Sequence, residues 1–419
     1  MTAPQGGAPP LRIYWINQFA VPPDQPGGTR HFDFATELQR RGHEVTLIAS
    51  DLNLATRTYS RRNGPRDMRA IHEDLHGTRF TWLAAGNYRG NNWRRVASMV
   101  LFGLVTFLHL LRVPKNARTV FIGSSPHLFA ALGAWAAAVI RRVPFVFEVR
   151  DMWPESYSEV SGRDHGPEVS GLRLVADLLY RRADAIIVLA ESNIDRICER
   201  GVPRDRIIFV PNGVDLDAFV TTEHGVDLSA PHAFTFVYAG AHGPANDLIT
   251  VVNAAAELQA RGREDIRVVL LGDGATKEEL KTLSSQLSLA NIRFEDPVPK
   301  MAVANTLRTA DAGLMVLAPV QLFTDGVSPN KLFDYMGAGL PVLTNVSGLV
   351  SDIIAKAGTG FTVAPGDAMA LADGMEKMAD APPADAAALG EKFIRENYDR
   401  RAMAATVEDL LSSLVAGRR

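Results

Sequence analysis

Short, almost wholly apolar runs alternate with stretches of helical periodicity along this chain, and that alternation excludes most architectures before any motif is considered. Residues 11–16, 45–49, 119–123, 144–149 and 185–189 read as strands, and a second series follows at 207–210, 234–239, 267–272, 292–294, 312–317 and 341–344. Strands that are apolar throughout, rather than alternating, are covered on both faces, which means parallel sheets wrapped by helices. The chain has 419 residues, more than one hydrophobic core normally organises. Two doubly wound, Rossmann-like α/β domains account for it, with a changeover near residues 203–225: we predict a first domain over 1–205 and a second over 206–390. Ligands in such sheets bind beyond the carboxyl ends of the strands, so the central cleft between the domains is the expected site.

Composition narrows the function classes. With 47% hydrophobic and 22% charged residues the chain is globular, and a formal net charge of -3 argues against a general nucleic-acid binder, so no DNA or RNA partner is expected. The single cysteine, Cys198, excludes an intramolecular disulfide and fits a reducing compartment. The first ten residues lack the basic-then-apolar order of a signal peptide, which implies a cytoplasmic location.

Residues 328–342, Ser-Pro-Asn-Lys-Leu-Phe-Asp-Tyr-Met-Gly-Ala-Gly-Leu-Pro-Val, are the richest in chemistry. Ser328 can cap a helix, Pro329 suits its first turn, and the free amides that follow, Asn330 among them, form an anion site. Lys331 adds a mobile positive charge, and Asp334, on the same helical face, is an acceptor for two ribose hydroxyls. A well-capped surface helix with a chance Lys/Asp pair fits the same residues. Gly27-Gly28-Thr29 joins the first strand to a helix; two glycines let backbone approach a phosphate closely, and Thr29 can cap, although a plain loop has the same composition. Gly272-Asp273-Gly274 follows a strand and precedes a helix without the third glycine of a dinucleotide fingerprint, so it is not an NAD site. Glu148-Val-Arg150-Asp151 closes a buried strand, where charge is costly unless paired or functional; an internal ion pair between two neighbouring elements and a functional role for Arg150 and Asp151 both fit. Asp215-Leu-Asp217 reads as a turn rather than a metal signature, and no metal-ligand spacing occurs, so neither metal nor cofactor is expected.

In this order and spacing, residues 328–342, Gly27-Gly28-Thr-Arg, Arg-Gly-His-Glu-Val at 41–45, Glu148-Val-Arg-Asp-Met-Trp-Pro-Glu155 and Pro211-Asn-Gly-Val-Asp215 resemble the family 4 glycosyltransferases, retaining enzymes of GT-B fold. The likeness covers nearly the whole chain and sharpens towards a bacterial subgroup that builds surface polysaccharides on polyprenyl carriers, including amino-deoxysugar transferases. The resemblance implies a nucleotide-diphosphate-sugar donor, UDP-linked by preference, a polyprenyl-linked saccharide acceptor, and a helix within 391–419 that crosses back to the first domain. It places Gly240, Gly272, Asp273, Val298, Asp325, Val327, Ser328, Pro329, Asn330, Lys331 and Asp334 around the donor, gives Lys331, Asp151 and Arg150 catalytic roles, and sets Gly27, Gly28 and Thr29 against a phosphate or the acceptor. Two departures from the pattern stand out. The first acid of the family's Glu-x7-Glu is Gly326 here, so Asp325 or the backbone at Gly326 and Val327 must substitute. The Arg/Lys pair usual after the first strand of the second domain is absent, leaving His242 as the one candidate cation in Tyr238–Asp247. A sugar-nucleotide epimerase and a non-catalytic scaffold of the same fold are the alternatives.

Residues 96–111 are apolar on every face and flanked by Arg94, Arg95, Arg112 and Lys115. They are shorter than the roughly 20 residues of a spanning helix. A helix lying in the membrane interface, giving peripheral contact through 94–115 on the inner face of the cell membrane, and a buried helix of the first domain both fit.

Overall fold

Each series of strands closes into its own sheet. The computed structural model of the chain describes residues 9–25, 27–52, 59–64, 66–86, 93–155, 166–216, 225–320 and 330–417. The first sheet contains β1 (Arg12–Ile16), β2 (Glu44–Ser50), β3 (Ile71–Leu75), β4 (Thr78–Leu83), β5 (Thr119–Ser124), β6 (Phe145–Val149), β7 (Ala185–Val188) and β8 (Ile207–Phe209), in the order β3-β4-β2-β1-β5-β6-β7-β8. All pair in parallel except β3, which runs antiparallel to β4 at one edge. The second contains β9 (Phe234–Ala239), β10 (Ile266–Leu271), β11 (Ile292–Glu295), β12 (Ala312–Met315), β13 (Val342–Thr344) and β14 (Gly360–Thr362), in the order β11-β10-β9-β12-β13-β14 and parallel throughout. These are the two doubly wound parallel sheets that the apolar runs predict.

The first sheet is flanked by α1 (Arg30–Arg40), α2 (Trp93–Leu110), α3 (Leu128–Arg141), α4 (Pro167–Arg182) and α5 (Ser192–Cys198). The second carries α6 (Leu248–Ala260), α7 (Lys277–Gln286), α8 (Lys300–Leu307), α9 (Asn330–Gly337), α10 (Leu349–Ala357), α11 (Ala368–Asp380) and α12 (Ala386–Asn397), and the chain ends in α13 (Arg400–Ala416). Alternate residues of β1 serve opposite faces: Ile13 and Trp15 pack with Phe34 of α1 and with Val407 and Leu411 of α13, whereas Tyr14 and Ile16 share a core with Phe102, Ala134 and Leu179 of α2, α3 and α4. Thus α13 completes the first domain's core, while α12 lends Ile394 to the second.

One strand changes sides relative to the sequence reading. Residues 207–210 were expected to open the second series, yet β8 pairs in parallel with β7 and is the last strand of the first sheet. A three-residue strand carries no mark of which sheet it joins; the short 3-10 turn at Arg204–Arg206 simply brings it alongside β7.

Helix α2 is covered on one side only. Met99, Phe102 and Leu110 are buried, and Val96, Val100, Leu104 and Leu108, each four residues after the last, are exposed. Its inner face meets α3 at a pair of glycines: a Cβ on Gly103 would lie 2.4 Å from the Phe129 carbonyl oxygen, and one on Gly133 would lie 2.3 Å from that of Gly103. Only glycine permits so close a backbone approach. Among the described residues no helix is long and apolar enough to cross a membrane.

What ties the first domain to the segment leaving it is a buried charge network. Glu148, at 0% exposure, accepts from Arg30 Nε at 2.9 Å, from His31 Nε2 at 3.0 Å and from the Ser124 hydroxyl at 2.5 Å. The remaining Arg30 nitrogens donate to the carbonyls of Pro211 and Val210 at 2.5 and 2.9 Å. Burial alone would raise the Glu148 pKa, but Arg30 and the hydrogen bonds outweigh it and hold the carboxyl well below the usual range. Burial lowers the His31 pKa, against the opposing pull of the Glu148 carboxylate. Because the folded pKa of Glu148 is depressed, the network's stability is present at neutral pH and is lost only as pH falls through the folded value. Arg30→Met should strand the Glu148 charge and cost about 3–5 kcal/mol, read by urea unfolding at pH 7; Glu148→Gln in the same background should recover part of that loss.

Candidate active site

The loop after β1 reaches across to the second domain. Met301 N donates to the Pro23 carbonyl at 3.1 Å and Lys300 N to that of Gln25 at 3.4 Å. A Cβ on Gly28 would lie 3.4 Å from Asn330 Nδ2. These contacts join segments that follow β1, β11 and β12, so the carboxyl ends of the two sheets face each other across an interdomain crevice. Gly27 has φ +141°, and a Cβ there would press on Val21 at 3.0 Å. Thr29 occupies the N-cap of α1 but makes no capping bond with its side chain; the expected cap is replaced by a bond from its hydroxyl to Asp33 Oδ2 at 2.8 Å.

Helix α9 begins at Asn330, and Asp325, Gly326, Val327, Ser328 and Pro329 lie outside the described residues. Lys331, expected to be mobile, is anchored: its Nζ donates to Asn246 Oδ1 at 2.8 Å and to Tyr238 Oη at 3.0 Å, and lies 4.6 Å from the Tyr238 ring centroid. Both partners are neutral, and no carboxylate ion-pairs with it among the described residues. Burial lowers its pKa to about 7. Among the described residues the Lys331 amine is thus held by a phenol and an amide rather than by a carboxylate. Asp334 is not free either; it accepts at 2.6 Å from Nζ of Lys300, which opens α8 and brings a second cation against α9.

Glycines make room for Lys331. A Cβ on Gly240 would sit 3.1 Å from Lys331 Cδ, and one on Gly272 would sit 1.9 Å from the Gly240 carbonyl oxygen. Gly274 is held as closely, 2.3 Å from the His242 carbonyl oxygen by the same measure. The Gly272–Gly274 turn is therefore packed on the loop after β9, with Asp273 O accepting from His242 N at 2.8 Å and Asp273 itself exposed. His242 is fully buried, neither ring nitrogen has a hydrogen-bond partner, and burial lowers its pKa to about 4. It is a neutral imidazole at physiological pH and does not replace the absent Arg/Lys pair. Val298 packs on the second domain's core just before α8.

On the first domain, the amides of Arg150 and Asp151 donate to Ser125 Oγ at 2.8 and 3.1 Å, which fixes the turn after β6. The side chains of Arg150 and Asp151 do not pair with each other among the described residues, and it is Glu148 of the same segment that forms the internal ion pair between neighbouring elements, with Arg30; Arg150 Nε is buried without a partner among the described residues and Asp151 is exposed. Sequence reasoning missed Arg400. Its Nε donates to Asn212 O at 2.9 Å, Nη1 pairs with Asp33, and Nη2 reaches Asn330 Oδ1 at 3.5 Å. Burial lowers its pKa to about 9. One guanidinium thus links α1, the interdomain segment and the start of α9. Nothing in Asp399-Arg-Arg distinguishes it from a surface pair. Lys300, Tyr238 and Asn246 were also missed, because their roles depend on contacts between distant segments.

Comparison with known proteins matches each half of the chain to a domain model. A glycosyl transferase 4-like domain model matches residues 27–213, and a glycosyl transferases group 1 model matches 221–411. A curated relative, the "Putative colanic acid biosynthesis glycosyl transferase WcaI" of Escherichia coli K12, is 23% identical over 59% of this chain and 62% of its own length. The chain thus spans about three-fifths of the length of that relative. Among solved structures, sucrose-phosphate synthase from Thermosynechococcus elongatus superposes with a TM-score of 0.75 at 17% identity, over 97% of this chain and 100% of that one. HepE of Anabaena in complex with UDP-glucose gives 0.69 at 15% identity, over 96% and 100%. The chain is therefore a two-domain protein of GT-B fold, assembled from a glycosyltransferase 4-like and a glycosyltransferase group 1 domain.

Proposed function

We propose that this chain is a retaining, metal-independent glycosyltransferase. It moves a sugar, an N-acetylated deoxyhexosamine by the subgroup resemblance, from a UDP-linked donor to a polyprenyl-diphosphate-linked saccharide in surface-polysaccharide synthesis. The observation that carries this reading is the Lys331 amine at the amino end of α9, fixed by Tyr238 and Asn246 with no carboxylate paired to it among the described residues. A relative named for colanic acid biosynthesis and a structural neighbour bound to UDP-glucose support the substrate classes.

In this reading the donor diphosphate lies between α9 and the Gly27-Gly28 loop. As the glycosidic bond breaks, negative charge grows on the diphosphate, and a preformed cation with helix-end amides stabilises that change without reorganising. Arg150 adds charge from the first domain, Asp151 orients a hydroxyl, and Asp334 with Lys300 holds the ribose side. The acceptor hydroxyl attacks from the face the diphosphate leaves, and a diphosphate oxygen takes its proton.

The binding step has a pH signature. Lys331 in the free protein has a pKa of about 7, and a bound diphosphate favours the charged amine. Above pH 7 binding must therefore recruit a proton, and UDP affinity should fall about tenfold per pH unit. Lys331→Arg, charged throughout, should flatten that profile in calorimetric titrations. Lys331→Ala should lower transfer from a UDP-sugar at least a hundredfold, about 2.7 kcal/mol of transition-state stabilisation, with little change in melting temperature. Undiminished turnover removes Lys331 from the mechanism, and conversion of donor without any acceptor identifies an epimerase instead.

The same reading places the protein on the inner face of the cell membrane through residues 94–115. Val96, Val100, Leu104 and Leu108 form one exposed stripe along α2, with Val139 and Ile140 of α3 also exposed and Arg94, Arg112 and Lys115 at its ends. Apolar residues bordered by cations suit an anionic interface. Flotation with vesicles containing phosphatidylglycerol should recover the wild type, and Val100→Glu with Leu104→Glu should reduce recovery at least tenfold; equal recovery removes the stripe from membrane binding.

A further inference from the structure

The chain passes between the domains twice, and the two passages are joined backbone to backbone. Val214 N donates to the Tyr398 carbonyl at 3.0 Å and Arg400 N to that of Val214 at 3.2 Å, a parallel bridge that pairs Val214 with Asp399. Beside the bridge Gly213 has φ +54°, and a Cβ there would lie 2.4 Å from the Tyr398 carbonyl oxygen, so the close approach needs glycine. A rotation of one domain against the other therefore turns both passages together.

Two buried guanidiniums hold the first passage. Arg30 donates to the carbonyls of Val210 and Pro211, and Arg400 Nε donates to that of Asn212, so three consecutive carbonyls are met from α1 and from the second passage. The other two nitrogens of Arg400 reach to opposite sides of the crevice. Nη1 pairs with Asp33 in the first turn of α1, and the same Asp33 oxygen accepts from the Thr29 hydroxyl at 2.8 Å, next to Gly28. Nη2 lies 3.5 Å from Asn330 Oδ1 at the start of α9. The Asn330 amide faces both ways, since its Nδ2 would be 3.4 Å from a Cβ on Gly28. Phe333, one turn further along α9, packs on Tyr398 of the second passage with ring centroids 4.6 Å apart. Helix α9 thus touches the second passage at two points, and Arg400 carries one of them over to α1.

Resting on the transferase reading, we propose that Arg400 is a positioning residue for transfer: its three-way fork fixes the register of α9 against the Gly27-Gly28 loop, so that a UDP-sugar docked on Lys331 meets the groups of the first domain. Lys331 follows Asn330 directly, and its amine is fixed by Tyr238 and Asn246 within its own domain. Binding of the diphosphate is therefore set in the second domain, whereas its placement across the crevice is set through Asn330 and Arg400. A planar guanidinium meets three acceptors in fixed directions; lysine keeps the charge on a flexible stem and loses the fork. Rates respond steeply to such a loss, because a misplacement of about 1 Å far from the reacting atoms can cost about a hundredfold.

The test compares Arg400→Lys, Asn330→Ala and the double variant in the full-length protein. The probes are polyprenyl-diphosphate-linked glucose, galactose, N-acetylglucosamine and N-acetylgalactosamine, offered with a panel of radiolabelled UDP-sugars. Each single variant should lower kcat at least tenfold while UDP affinity by calorimetry stays within threefold, a split that general loss of structure does not produce. The double variant should be within twofold of the slower single one, as expected of two residues that act through one contact. Losses that multiply in the double variant, or a kcat within twofold of wild type in Asn330→Ala, overturn the assignment. A second measurement needs neither turnover nor ligand: spin labels at the exposed sites Arg40→Cys on α1 and Glu278→Cys on α7, in a Cys198→Ser background, report the spacing of the domains. Arg400→Lys and Asn330→Ala should each widen the distance distribution at least twofold, and an unchanged distribution overturns the positioning role. Should Arg400→Lys fail to fold, Asn330→Ala, at a partly exposed site, decides both measurements. Wild-type protein that transfers to none of the probes overturns the transferase reading, and the spin-label comparison then judges the register by itself, so the two failures stay distinct.

Discussion

The pairing of Glu148 with Arg30 fixes where everything else in the crevice can lie. Glu148 is the penultimate residue of β6, and the turn that follows carries Arg150 and Asp151. Arg30 opens α1 immediately after the Gly27-Gly28 loop, and its other nitrogens hold the carbonyls of Val210 and Pro211 where the chain leaves the first sheet. A single ion pair therefore sets the separation between the phosphate-loop candidate, the β6 turn and the root of the second domain. Such a pair is expensive to desolvate and tolerable only when every polar atom is met. Ser124, His31 and the Trp15 indole supply the remaining contacts to the carboxylate.

Across the crevice the logic is reversed. Lys331 is held by neutral groups, and the glycines at 240 and 272 let its aliphatic stem and the neighbouring loop close in. In the first domain a charge is compensated and locked; in the second, among the described residues, Lys331 meets only neutral partners. Lys300 shows the intermediate case, since its pairing with Asp334 leaves an ion pair that can be remodelled when a hydroxyl competes for the carboxylate.

Much of the architecture was legible because it rests on local pattern. Apolar runs such as 119–123 and 234–239 announce buried parallel strands, and their positions coincide with β5 and β9. The edge strand β3, Ile71-His-Glu-Asp-Leu, was illegible because an edge exposed on one face need not be apolar, and β14, Gly360-Phe-Thr, is an edge strand with a single apolar side chain. The site divides in the same way. Lys331 and the 27–29 loop could be picked out by composition and likeness, but the partners that define their chemistry lie far away in sequence: Tyr238 and Asn246 for Lys331, Lys300 for Asp334, and Arg400 for Asn330. Spacing along a chain does not encode such meetings. The exposed stripe on α2 belongs here too, because an all-apolar segment reveals which side is covered only once α3 is set against it.

Helix α13 packs Met403, Val407 and Leu411 against the sheet that begins at Arg12. In topological terms the second domain is an insertion within the first, entered after β8 and left before α13. During synthesis the face of the first sheet that α1 and α13 share must consequently stay partly uncovered until α13 is made. That interval invites chaperone capture of the nascent amino-terminal half, while the inserted domain, whose strands are contiguous in the message, is free to finish first.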